Sequence, residues 1–99
     1  MYYNMYIHSD LPKDIRWDPK KSDHLKQTRG VSFEEIIQCR YMGIVQHPVR
    51  PNQKIFIFEH NNYLWAVPFV VTENHMFLKT IYPTRKLTRM FRKGRRNEK

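Results

Sequence analysis

Two apolar segments joined by a turn dipeptide constrain the fold of this chain most strongly. Ile55–Phe58 is a short continuous apolar run, which is typical of a strand covered on both faces. Asn61 and Asn62 can form a two-residue hairpin turn, and Tyr63–Thr72 is then the next strand. Pro68 cannot donate a backbone hydrogen bond, so the pattern predicts an edge position or a bulge there. The chain therefore needs other elements on both sides of a β-hairpin.

Three further segments have strand patterns. Lys13–Trp17 alternates polar and apolar residues, Gly43–Val49 precedes the hairpin, and Met76–Tyr82 follows it. Alternation along the last segment predicts that Lys79 and Ile81 point to one side of the sheet and Tyr82 to the other. These strands complete an antiparallel meander.

Helix signals precede the meander. Asp18 is a predicted N-cap followed by proline, and Gly30 is the predicted end of that helix. Ser32 and Glu35 have the spacing of a capping box. An apolar stripe follows at helical spacing, and Gly43 is expected to break this second helix. The members of the stripe are Phe33, Ile36, Ile37 and Tyr41.

A third helix is predicted after the meander. It opens at Pro83 and Thr84 and ends near Gly94. Its apolar stripe consists of Leu87, Met90 and Phe91, and Arg85, Arg89, Arg92 and Arg96 recur on a separate face. The predicted order is β-α-α-β-β-β-β-α, an α+β fold with helices packed on a small antiparallel sheet. Residues 1–12 are expected to be a leader, 13–93 a single domain and 94–99 a basic tail.

The charge of the chain is concentrated at its C-terminal end. The formal net charge is +9, and eight of the 18 Lys and Arg residues follow position 84, against one acid, Glu98. A basic segment with its cations on one helical face favours a polyanionic partner, nucleic acid above all.

Several classes of protein are not indicated by the sequence. Cys39 is the only cysteine, so no intramolecular disulfide can form. The first residues lack a signal-peptide pattern, and the longest apolar run, Tyr63–Val71, is far shorter than the roughly 20 residues of a membrane span. The five histidines are scattered, and with three glycines the chain has no phosphate-binding loop. We expect a cytoplasmic protein with no membrane association, no metal and no cofactor.

Five segments, in order and at their spacings, resemble the BrnT family of toxins from type II toxin–antitoxin pairs. They are WDPKK at 17–21, RGVSFEE at 29–35, PNQKIF at 51–56, VPFV at 67–70 and FLKTIYPTRK at 77–86. The resemblance implies a fold similar to RelE-type ribonucleases, RNA cleavage that inhibits translation, and a ribbon-helix-helix antitoxin as partner. Arg29 stands where that family often has histidine, and arginine can bind charge there but cannot transfer a proton near neutral pH.

Metal-free RNA cleavage needs groups that transfer protons and cations that stabilise the phosphorane. Lys79, Tyr82 and Arg85 offer such groups around a strand-to-helix junction, and His60 is a further candidate for proton transfer. The candidate RNA-binding residues are Arg29, Lys86, Arg89 and Arg92. We expect RNA as the substrate, either free or as ribosome-bound mRNA.

Two other hypotheses remain open at this point. The chain can be a non-catalytic nucleic-acid-binding or protein-interaction module, in which the basic helix grips phosphates and the aromatic residues form only the core. Alternatively, the last helix can lie on a membrane surface, although the sheet needs its apolar stripe for the core.

Overall fold

The fold is built on a mixed six-stranded sheet with helices on both faces. A computed structural model describes residues 14–72 and 74–97, so the expected leader, 1–12, and Lys13 lie outside the described residues. The elements are β1 (Ile15–Arg16), α1 (Pro19–Arg29), α2 (Phe33–Ile36), β2 (Arg40–Gln46), β3 (Gln53–His60), β4 (Tyr63–Val71), β5 (Met76–Leu78), β6 (Tyr82–Pro83) and α3 (Arg85–Asn97). The α+β class is confirmed.

The sheet is not purely antiparallel as expected. The strand order is β1-β5-β4-β3-β2, and β6 also pairs with β4. β1 pairs in parallel with β5, and the other pairs are antiparallel. The elements between β1 and β5 bring β5 beside β1 with the same chain direction, so these two strands pair in parallel. Next to this pair, the Met76 amide donates to the Asp14 carbonyl at 2.8 Å.

The hairpin between β3 and β4 is confirmed. Asn61 and Asn62 adopt positive φ angles of 55° and 62°, as a two-residue hairpin turn requires. The turn sets a register in which His60 lies opposite Tyr63 and Ile55 opposite Pro68. β4 is thus a central strand, so of the two alternatives predicted for Pro68, the edge position is wrong and a bulge is found in the pairing beside it.

Pro68 is tolerated because its neighbour strand is interrupted beside it. β5 pairs with β4 as far as Phe69, and β6 resumes the pairing at Ala66. Between these pairs, two residues of β4 face three of the other strand, 79–81, which is the excess residue of a bulge. The Pro68 carbonyl accepts a hydrogen bond from the Lys79 amide at 2.8 Å, so Pro68 faces this gap with the side that has no N–H.

The bulge also changes the faces of the last strand segment. The predicted strand Met76–Tyr82 is two short strands, and Ile81 is buried on the face of the sheet that carries α1 and α2. Tyr82 packs on the opposite face, and so does Lys79, whose ammonium lies 5.6 Å from the centre of the Phe77 ring. The prediction that Lys79 and Ile81 share a side is therefore wrong, because strict alternation fails where an extra residue is inserted.

The first two helices begin as predicted, but the second is shorter. Asp18 caps α1 by accepting the Lys20 amide, and Gly30 ends it at φ 83°. The capping box of Ser32 and Glu35 is present, yet α2 is a single turn. Tyr41, expected on this helix, belongs to β2, because pairing with β3 outweighs the helical pattern.

A shift of register in β2 accompanies this change. The shift lies between Tyr41 and Gly43, and Gly43 has a φ of 139°, which favours glycine. The expected strand Gly43–Val49 therefore starts and ends three residues earlier, as Arg40–Gln46. Gly43, which was expected to break a helix, instead accommodates a bulge in β2.

Two hydrophobic cores lie on the two faces of the sheet. The first core lies under α1 and α2 and consists of Leu25, Val31, Phe33, Ile36, Phe58, Val67, Phe69, Met76, Leu78 and Ile81. The second core lies under α3 and consists of Met42, Val45, Ile55, Ile57, Leu64, Ala66 and Leu87. The continuous apolar run in β3 is explained, since its successive side chains enter opposite cores.

A buried serine joins α1 to α2. The Ser22 hydroxyl accepts the Phe33 amide at 3.0 Å and donates to the Glu34 carboxylate at 2.5 Å. The Trp17 indole donates to the other oxygen of that carboxylate at 3.3 Å. The hydrogen bond from Ser22 and the weaker one from Trp17 favour the ionised form of the Glu34 carboxylate. They lower the pKa of Glu34.

Replacing this serine tests the junction. We expect Ser22→Ala to lower the free energy of unfolding by about 1–3 kcal/mol, because the Phe33 amide is left buried without a partner. Urea denaturation measures the change. Thr28→Ala, at an exposed position of the same helix, is the matched control and should stay within about 0.5 kcal/mol of the wild type.

Acid should weaken the same junction. A carboxylate whose pKa is lowered by folding stabilises the protein above its unfolded pKa, about 4.3, and loses that contribution as the pH falls through the folded value. We expect unfolding free energy to fall less steeply between about pH 5 and pH 3 in Glu34→Gln than in the wild type. Equal slopes would contradict a role for Glu34. A residual slope is expected, because the Lys26 ammonium lowers the pKa of Glu35 in the same direction.

Candidate nucleic-acid interface

The basic helix α3 is fixed to β4 through one residue, Leu64. The Leu64 carbonyl accepts the Thr84 amide at 2.9 Å, and the Leu64 amide donates to the Thr88 hydroxyl at 2.8 Å. The Thr88 hydroxyl in turn donates to the Thr84 carbonyl at 2.8 Å. The first turn of α3 thus replaces a neighbouring strand beside Leu64, which satisfies buried backbone groups that β6 is too short to reach.

The apolar side of α3 is narrower than predicted. Leu87 is buried in the second core and Phe91 packs against it. Met90, the third expected member of the stripe, is 47% exposed. The helix also continues through Gly94 to Asn97, so its predicted end at Gly94 is wrong.

A groove of about 400 Å³ runs between α3 and the start of β4. Its lining consists of Tyr63, Arg85, Thr88, Arg89, Arg92 and Lys93. Four of these side chains are cationic, and no acid from the described part of the chain lines the groove. Arg85, Arg89 and Arg92 follow at helical spacing, so their guanidinium groups face one strip of surface. Three members of the predicted arginine stripe are therefore brought together in one concave place, and the side chain of the fourth, Arg96, lies outside the described residues.

Arg92 also holds the groove in shape. One of its guanidinium nitrogens donates to the Asn62 carbonyl at 2.7 Å, which ties α3 to the hairpin turn. Guanidinium has five N–H donors, so the others stay free to bind a phosphate. A smaller cavity of about 230 Å³ adjoins Arg92 and Thr88 as well, but Glu59 is part of its lining. The larger groove is the better anion site because it lacks such a carboxylate.

His60 does not line this groove but is paired with Tyr63, which does. It is directly opposite Tyr63 in the hairpin, and side chains of such a pair share a face and lie close together. Its Nδ1 is 3.4 Å from the Cys39 sulfur, and its ring meets the Trp65 ring edge-on, with 5.9 Å between the ring centres. Of the four candidate catalytic residues, only Arg85 lines the groove, and the ring of His60 contacts Cys39 and Trp65, which pack against the first core.

Cys39 is not set up as a nucleophile. Burial raises the pKa of its thiol, and the charge of Glu35 raises it further. The sulfur also donates to the Glu35 carbonyl at 3.4 Å. The sulfur that contacts His60 is therefore held as a thiol rather than a thiolate.

The other predicted site residues lie outside the groove lining. Lys79 is over the Phe77 ring, Tyr82 packs against the second core, and Lys86 is exposed on α3. Arg29 ends α1, in the helical layer on the first-core side of the sheet, and is exposed. The sequence cluster around residues 79–86 is therefore split, with only Arg85 entering the groove.

Three groove residues were not among the sequence candidates. Tyr63 could have been found, because the predicted Asn-Asn turn places it opposite His60. Lys93 was one of the counted cations, but its side of the helix depends on how the helix docks. The sequence does not single out Thr88, because its role depends on the Leu64 amide, which only the folded structure brings beside its hydroxyl.

Comparisons with protein-family models, with curated proteins and with solved structures found no match. Within the described residues, no cluster of three or more histidine, cysteine or acidic side chains is placed to hold a metal ion. No helix in residues 14–72 or 74–97 is long and apolar enough to cross a membrane.

The fixation of α3 can be tested with two threonines. Thr88→Val keeps the side-chain shape but leaves the Leu64 amide without its partner, so we expect the unfolding free energy to fall by about 1–3 kcal/mol. Thr84→Val is the matched control, because the Thr84 hydroxyl is buried and makes no hydrogen bond to any described residue. That variant should be unchanged or slightly more stable by thermal or urea denaturation. Equal losses in both variants would contradict the assignment.

Proposed function

We propose that this protein is the toxin component of a type II toxin–antitoxin pair, an endoribonuclease that binds RNA in the groove beside α3. The observation that carries RNA binding is the set of four cationic side chains that line the groove without an acid from the described residues. Such a surface neutralises several phosphates of one strand. The toxin role and the ribbon-helix-helix antitoxin rest on the resemblance to the BrnT family. An RNA substrate implies a cytoplasmic site of action.

Cleavage in this groove would use the RNA's own 2′-hydroxyl as nucleophile. The 2′-oxygen loses its proton and attacks the phosphorus, the bond to the 5′-oxygen breaks, and that oxygen takes up a proton. The products are a 2′,3′-cyclic phosphate and a 5′-hydroxyl. Guanidinium groups of Arg85 and Arg89 stabilise the charge on the phosphorane.

His60 is the proposed proton-transfer residue. Imidazole is the side chain whose ordinary pKa allows it to gain and lose a proton near neutral pH. It lies across the hairpin from Tyr63, which lines the groove. The two other catalytic candidates, Lys79 and Tyr82, are outside the lining and have no direct part in this scheme.

A non-catalytic nucleic-acid-binding module is the second candidate. One observation favours it: among the described residues, none of the six that line the groove is a histidine or a carboxylic acid. In that case the groove binds phosphates, and the His60 ring has a structural role through its contacts with Cys39, Asn61 and Trp65. The two candidates differ in the ends they leave on RNA.

Induction of the protein in a bacterial host separates them. We expect wild-type protein to arrest growth and to create new RNA ends with 2′,3′-cyclic phosphates. Arg85→Ala/Arg89→Ala should abolish both effects, because the phosphodiester is no longer held. Lys20→Ala/Lys21→Ala removes the same charge from exposed positions of α1 and should leave both effects intact.

His60→Gln divides binding from cleavage. We expect this variant to retain RNA affinity while losing the cyclic ends. Normal growth and intact RNA with abundant, folded wild-type protein would rule out an autonomous ribonuclease. Retained RNA binding in that case would favour the non-catalytic module.

A further inference from the structure

One aromatic side chain lies among the cations of the groove. Tyr63 is the first residue of β4, directly after the hairpin turn, and it is partly exposed. Arg85 and Arg89 line the same groove from the helix side. An aromatic ring beside a row of cations is the combination that single-stranded nucleic acids bind, with bases stacking on the ring and phosphates on the cations.

The walls of this groove are held in place before any ligand binds. The Leu64 amide is bonded to Thr88, one residue along the chain from Tyr63. The Asn62 carbonyl, on the other side of Tyr63, is bonded to Arg92. Both residues that flank Tyr63 are thus tied to α3, so the backbone of Tyr63 keeps a fixed position relative to the helix that carries the cations. Such preorganisation lowers the entropic cost of binding.

We propose that the groove binds single-stranded RNA with one unstacked base on the Tyr63 ring and the adjoining phosphates on Arg85 and Arg89. This inference rests on the proposed RNA-binding function and adds the form of the substrate and the residue that selects it. Arg85 and Arg89 are separated by one helical turn, a rise of about 6 Å, which is similar to the step between successive phosphates of a strand.

A double helix does not fit this arrangement. Bases inside a duplex are stacked on their neighbours, so none is available for Tyr63 unless it is first unpaired. The groove volume of about 400 Å³ lies in the range of sites that hold small organic ligands, and a duplex is much wider than such a site. The ring thus favours single strands, while the cations alone would accept either form.

Abasic oligonucleotides provide the test. Binding is measured by fluorescence anisotropy with a short 2′-O-methyl RNA strand, which cannot be cleaved, and with an abasic strand of the same length. We expect Tyr63→Leu to weaken binding of the normal strand by about 5- to 100-fold and to leave binding of the abasic strand unchanged. Tyr63→Phe keeps the ring and should bind like the wild type.

The arginine variant and the salt dependence give the complementary result. Arg89→Ala should weaken binding of both strands and reduce the slope of log affinity against log salt by about one. Tyr63→Leu should leave that slope unchanged, since the ring contacts no phosphate. The wild type should also bind the matching duplex more weakly than the single strand.

Each contrary result has a separate meaning. Equal wild-type affinity for normal and abasic strands, with Arg89→Ala still weakening both, would overturn base stacking and leave the proposed function standing. Loss of abasic binding in Tyr63→Leu would mean that the ring only supports the fold, which also overturns the inference. Absence of binding to any strand would remove the proposed function itself. Tighter binding of polyglutamate than of RNA would assign the groove to an acidic protein.

Discussion

Hydrogen bonding along one edge of β4 determines where the functional parts of this molecule lie. β3 covers the other edge along all of β4 except its last residue, from Tyr63 to Val70. The edge away from β3 is shared by β5, by β6 and by the first turn of α3, with Pro68 at the gap between the two strands. Because buried backbone groups need partners, each of these elements is held to a definite segment of β4. The position of α3 follows from that division.

The groove is a consequence of this docking. Leu87 and Phe91 take α3 onto the second core, and Thr84 and Thr88 fix its first turn to Leu64. The arginines on the remaining side of the helix then face the start of β4 rather than open solvent. The cationic side of an amphipathic helix thereby becomes one wall of the groove, and Tyr63 at the end of the hairpin lines the other wall. Preorganised cations in such a place bind anions better than the same cations on a mobile tail.

The sequence predicts most of this fold where the signals are local. The cap at Asp18, the capping box at Ser32 and the Asn-Asn turn are decided within a few residues, and the structure confirms all three. The errors arise where distant partners decide. Tyr41 follows a helical pattern but pairs with β3, and Pro68 is placed in a central strand by a gap in its neighbour.

The site residues that the sequence predicts correctly are also those whose positions are decided locally. Arg85, Arg89 and Arg92 are predicted from helical spacing, and all three line the groove. Tyr82 and Lys79 are close to Arg85 in sequence but are separated from the groove by the bulge and the turn into α3. Residues that are close in sequence share a site predictably only within one regular helix or strand. Each bend or bulge changes the side to which the following side chains point. Tyr63 enters the groove from the start of β4, a strand that is distant from the basic segment in sequence.

The three-residue segment 79–81 has a further consequence for the tolerance of the chain to changes in length. Tyr82 reaches the second core because it lies opposite Ala66, whatever the number of residues that precede it. One residue fewer in this segment would leave Tyr82 and α3 on the same side of the sheet, but it would place a regular strand beside Pro68, which has no N–H to donate. The turn at Asn61 and Asn62 is fixed more strictly, because its length sets the position of Tyr63 against His60. Related chains that share the groove can therefore shorten 79–81 only with another residue in place of Pro68, whereas the hairpin turn must stay two residues long.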